Sequence, residues 1–136
     1  MTRALGTDDS INTCDCCGKT NLKFTVAIEL DDGDIVHYGQ ICARRNTGKN
    51  QRTITSEIKA HADAVQTAAT AEYRASAEYK AECARFAERD EFARKNGVRM
   101  VGTIAMEFVS EACDAAQTVR NAIAAKHGIS PWSIRA

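Results

Sequence analysis

Cys14 and Cys17 stand two residues apart in the run CDCCGK, and a third thiol, Cys42, follows in GQICA. Thiolates at this spacing reach one tetrahedral metal ion together, and Gly18 behind them lets the chain turn so that backbone amides donate to the sulfurs. Zinc is the expected cofactor, held by Cys14, Cys17 and Cys42. Three thiols leave one position to fill. His37 is the first candidate, because ligands four to six residues apart commonly span a strand end and the following helix. Cys16 is the alternative, although adjacent cysteines point apart, and His61, His127 or a solvent molecule are further options. A closed site of this kind is structural, whereas an open one activates water.

The elements that position these residues are short. From Leu22 to Leu30 the apolar residues alternate strictly, which predicts a half-buried strand. Asp31, Asp32, Gly33 and Asp34 supply a turn, and Ile35 to Tyr38 return as a second strand. With Asp32 and Gly33 as a two-residue turn, His37 falls opposite Ile28 on the apolar face. Gly39 to Asn46 reads as a short helix that carries Cys42. Residues 1 to 13 show no period and are expected to be a loose lead-in.

No glycine or proline interrupts the chain from Arg52 to Asn96, which predicts one long helix from about Thr55 to Lys95, roughly 60 Å in length. Its partner is the segment from Met100 to Lys126, where Val101, Ile104, Ala105, Phe108, Ala112, Ala115, Val119 and Ile123 recur at helical spacing. A fold-back near residues 97 and 98 sets Phe86 level with Val109, Tyr79 with Ala116 and Cys83 with Cys113. In the tail GISPWSIRA, Ile129, Trp132 and Ile134 are expected to turn back onto Ile54 and Ile58, where the hairpin's apolar face also docks. The fold class is therefore α+β, a small zinc-bound β-hairpin at 1–50 followed by a long antiparallel helical hairpin at 51–136.

The order of knuckle, hairpin and a ligand opening a short helix resembles the treble-clef zinc fingers over residues 14–46, carried by CDCCGK, DDGD and GQICA. It also resembles the small zinc-finger proteins of bacteriophages and other mobile elements, which implies a regulatory or host-interfering role, such as inhibition of a defence complex. The class is used so widely that it implies no single activity.

Composition narrows the function. The 136 residues carry 18 basic and 18 acidic side chains, so no global field draws the chain to nucleic acid or to a membrane surface. No apolar run approaches the length that crosses a bilayer, and the first residues lack the apolar stretch of a secretory signal, so a cytoplasmic location is expected. Six cysteines, two of them alone in helical pattern, suit a reducing compartment better than a disulfide framework. No nucleophile with a base and no paired carboxylates stand out, and an enzyme is not expected. A binding protein is. The long helical arm suits a protein partner or a second copy of the chain, while Arg44, Arg45, Lys49 and Arg52 beside the finger form the alternative, a surface for phosphates.

Overall fold

The computed structural model describes residues 1–99 and 102–136, with the side chains of its last long helix described from residue 105 onward. Two compact units divide the chain, Met1–Ala64 and Val65–Ala136. The first unit is built on a three-stranded antiparallel sheet in the order β1-β2-β3, with β1 at Arg3–Asp8, β2 at Thr25–Glu29 and β3 at Ile35–Tyr38. β1 replaces the expected loose lead-in. It pairs Ala4 with Ile28 and Gly6 with Ala27, so the register slips at Leu5. That bulge puts one extra residue in β1 and breaks the period of two by which a strand is recognised.

The turn between β2 and β3 has three residues rather than two. Leu30 N–H donates to Asp34 O at 2.8 Å, Gly33 N–H donates to Leu30 O at 3.0 Å, and Gly33 sits at φ 90°. A type I turn closed by a left-handed glycine is the usual three-residue hairpin. The register becomes Ile28 with Val36 and Ala27 with His37. A shift of one residue moves every side chain of β3 to the other face, so His37 leaves the apolar side.

Helix α1, Gln40–Thr47, starts after Gly39, ends at left-handed Gly48, and turns Cys42 and Ala43 inward. Ala4, Val26, Ile28, Ala43 and Ile54 form the buried core of this unit, with Ile58 packed at its margin. Ile54 and Ile58 belong to the first turns of α2, Gln51–Ala75, so the hairpin's apolar face docks there as expected. Lys49 Nζ ties this region together by donating to Thr2 O at 2.6 Å and Glu57 Oε1 at 2.5 Å.

The second unit corrects the single long helix. α2 stops at Ala75, Ser76 takes an extended conformation, and α3 runs over Ala77–Asn96. Ser76 Oγ donates to Tyr73 O at 2.6 Å and accepts from Tyr79 N–H at 3.2 Å, so one hydroxyl serves both helix ends. The break brings Tyr73 and Tyr79 together, with ring centroids 5.0 Å apart. α3 lies antiparallel to α4, Gly102–His127. Arg85 Nε donates to Phe108 O at 2.9 Å and its guanidinium stands 4.1 Å from the Phe108 ring, consistent with a fold-back near Gly97. Met100, Val101 and the Ile104 side chain lie outside the described residues.

Ala69, Tyr73, Ala116, Ile123, Ala124 and Ile134 make the core of this unit. The tail does turn back, through a 3-10 turn at Pro131–Ser133, and Ile134 enters the second unit's own cluster around Ala69 and Tyr73. Gln66 Nε2 donates to Ser133 O at 2.8 Å and fixes that return. Trp132, expected to help cover the helix, is 83% exposed. Its neighbours in the 3-10 turn satisfy the backbone without needing its ring.

Candidate metal centre

The loop between β1 and β2 is folded by its own backbone before any side chain is considered. Cys14 N–H donates to Lys19 O at 2.9 Å, Gly18 N–H donates to Cys14 O at 2.9 Å, and Leu22 N–H donates to Asn12 O at 3.0 Å. Gly18 sits at φ 72°, a conformation that side chains with a Cβ rarely adopt. The knuckle is then stitched to the free edge of β3. Asp15 N–H donates to His37 O at 2.8 Å, and Asp15 Oδ2 accepts from His37 N–H at 2.7 Å.

These bonds set the thiols. The sulfurs of Cys14, Cys17 and Cys42 lie within 4.8 Å of one another, with Cys14 and Cys42 buried and Cys17 exposed. Tetrahedral thiolates at about 2.3 Å from a metal stand roughly 3.8 Å apart, so the three can hold one ion with little movement. Gly39 lets the start of α1 come close, because a Cβ there would meet Leu22 Cδ1 at 3.3 Å and Cys14 Sγ at 4.0 Å.

The thiols differ in their readiness to ionise. Burial opposes ionisation of Cys14, but backbone N–H groups of Gly39, Cys17 and Cys16 together outweigh it and lower the thiol to about 7. Cys42 is pushed up to about 12 by its hydrogen bond with Cys17, by burial, and by the neighbouring Cys14 and Cys16. Three sulfurs at this separation repel one another as thiolates, so Cys42 keeps its proton unless a cation lies among them, and a metal ion is a group that the three could hold.

His37, expected as the fourth ligand, is not among the clustered donors. Its Nδ1 stands 3.4 Å from Thr25 Oγ1, on the face opposite the Val26 and Ile28 side chains. The three-residue turn is the cause, and His37 serves the site through its backbone. Cys16 also lies outside the three sulfurs that stand within 4.8 Å of one another, but it neighbours them, is exposed, and its Sγ accepts from Asn46 Nδ2 at 3.2 Å. Asn46 Nδ2 also donates to Cys42 O at 2.9 Å. Asn46 was not singled out from the sequence, although it lies one helical turn after Cys42 and hence on the same side of α1.

The other histidines are placed elsewhere. His127 Nε2 lies 2.8 Å from Glu72 Oε2, and His61 lines a groove with Arg3, Lys49 and Glu57. Of the basic residues, Arg44, Arg45 and Arg52 are exposed, but Lys49 is committed to Thr2 and Glu57. The acidic hairpin tip is turn chemistry, with Asp34 N–H donating to Asp32 Oδ1 at 3.0 Å. Cys83 is exposed and Cys113 half-buried. Among the described residues, no helix is long and apolar enough to cross a membrane.

Comparison of the chain with protein-family models, with curated proteins and with solved structures finds no match. The functional reading therefore rests on the chemistry of the site.

Proposed function

We propose that this chain is a zinc-stabilised binding protein, a small regulatory or inhibitory module that acts by engaging a protein partner and not by catalysis. The observation that carries the metal is the convergence of Cys14, Cys17 and Cys42 within 4.8 Å, with Cys14 held by backbone amides. Borderline-soft ions with no geometric demand of their own favour such sulfur sets, and zinc is the commonest of them. Cys16 completes the tetrahedron, oriented by Asn46. A site closed by four thiolates leaves no position for a metal-bound water, so the ion's role is structural. It joins the knuckle to α1 and contributes folding free energy on the order of 10 kcal/mol, as in zinc-finger peptides.

The treble-clef likeness is supported by Cys42 in the first turn of α1, directly after the hairpin. Exposed apolar side chains, Ile41 on α1 among them, favour a protein partner. The phosphate-binding alternative keeps Arg44, Arg45 and Arg52 but loses Lys49 to an internal ion pair.

Elemental analysis with thiol counting on the reduced protein tests the metal centre. The expected result is one zinc per chain and four thiols protected from alkylation until chelator is added. Three protected thiols would return the fourth position to a non-sulfur ligand, and a metal-free chain with an unchanged melting temperature under chelator would end the proposal. Binding to random DNA at low salt separates the two partner readings, since a nucleic-acid reader binds there and loses affinity steeply as salt rises.

A further inference from the structure

A cleft of about 500 Å³ opens beside the thiols, walled by Leu22, Phe24 and Ile41 and rimmed by Lys19, Lys23 and Arg45. No carboxylate lines it. Asp15, beside Cys14 in the knuckle, spends its carboxylate on His37 N–H, and none of the three rim cations is in an ion pair among the described residues. Ile41 is 63% exposed although it faces an apolar wall. A shallower groove continues past Ile41 and Arg45 to Arg44, again without an acidic residue. Cations of one sign around apolar walls form a surface with a definite complement.

We propose that this cleft binds an acidic peptide segment of a protein partner, with an apolar side chain lodged against Phe24 and Ile41 and carboxylates on Lys19, Lys23 and Arg45. The inference rests on the zinc-bound reading and names the chemistry of the partner. Two observations favour a peptide over single-stranded nucleic acid. Phe24 is half-buried in the wall and offers no free face for base stacking. Cys14, Cys17 and Cys42 line the cleft as well, and three or four thiolates on the proposed zinc would carry net negative charge there. A nucleic acid brings a phosphate with every nucleotide and presses some of them towards those sulfurs, whereas a peptide places neutral bulk there and keeps its carboxylates at the rim.

The test uses the full zinc-loaded chain and a panel of fluorescein-labelled peptides in which one leucine, isoleucine, phenylalanine or tryptophan lies between paired acidic residues. Peptides with lysines in place of the acids and a labelled oligothymidylate serve as competitors in class. At least one acidic peptide is expected to raise the fluorescence anisotropy saturably, and the lysine peptides are expected to fail. The double variant Lys23→Glu with Arg45→Glu, and separately Ile41→Asp, should each weaken binding at least tenfold while zinc content stays at one per chain. Arg94→Glu, on α3 and outside the cleft, should leave it unchanged. Amide shifts in a nitrogen-15 spectrum should gather at residues 19–24 and 39–45. A zinc-loaded chain that binds none of the acidic peptides, binds them equally well in the charge-reversed variant, or prefers oligothymidylate overturns the inference alone. A chain that holds no zinc overturns the metal reading and the inference with it.

Discussion

Glu57 carries more of the first unit than its place on a polar helix face suggests. Its Oε2 accepts from Ala4 N–H at 3.0 Å, and its Oε1 accepts from Lys49 Nζ. Burial works against the charged carboxylate, yet the Ala4 amide and the Lys49 ammonium hold it below its ordinary value of 4.5. A depressed carboxylate contributes stability that is present above its unfolded value and is lost as pH falls through the folded one. Glu57→Ala should therefore destabilise the chain by about 2 kcal/mol at neutral pH, because it also leaves the Lys49 ammonium without its partner. Urea titrations of both proteins should show the gap closing as the pH is lowered below the ordinary value of 4.5 and through the depressed one. A gap that persists in acid would mean that the charge on Glu57 is not what holds β1. On the proposed metal centre Asn46 would act in the same indirect way, since one amide bonds both Cys16 Sγ and the Cys42 carbonyl. Groups that orient ligands typically change metal affinity by roughly 10-fold to 100-fold when removed. Asn46→Ala should weaken zinc binding by that amount in competition with a chromophoric chelator, and an unchanged affinity would remove Asn46 from the site.

At the scale of elements, Ser76 decides where one helix becomes two. It is neither glycine nor proline, and the residues on either side are good helix formers, so nothing in the local pattern marked a stop. The stop is made by tertiary packing. Tyr73 is fully buried and its hydroxyl lies 3.2 Å from both Glu82 and Arg120, which fixes α2, α3 and α4 against one another only if the chain bends at Ser76. Ser76→Ala removes the cap on Tyr79 N–H and should cost about 1 kcal/mol. A lowered urea midpoint for the second unit checks this, and an unchanged midpoint would show that packing alone holds the bend. The same contrast explains what the sequence made legible. The C-x-x-C spacing, the β2–β3 hairpin and the α3–α4 fold-back rest on local signals, and all three appear. β1 escapes a reading by alternation because its bulge at Leu5 breaks the period, and His37 lies on the other face because DDGD suits a three-residue turn closed by Gly33 as well as a two-residue one.

For the whole molecule, the two units draw on different sources of stability. Met1–Ala64 has a core of five buried apolar residues, two of them alanines, under a sheet whose strands are 4 to 6 residues long. So small a core is marginal without a staple, and the proposed metal centre would supply one. Val65–Ala136 buries Tyr73, Ile123 and Ile134 between helices of 20 or more residues and contains none of the clustered thiols. Removal of the ion should consequently unfold the first unit and spare the second. Under strong chelator, hydrogen exchange should become fast at the amides of β2, β3 and α1, while those of α3 and α4 keep their protection. Far-UV circular dichroism should retain most of its helical signal, because most helical residues lie beyond Ala64. Heating the metal-free chain should then show one transition, from the helical unit, where the zinc-loaded chain has a further contribution from the sheet. Loss of protection throughout the chain on chelation would show instead that the helices depend on the metal centre, and that the two units fold as one cooperative body.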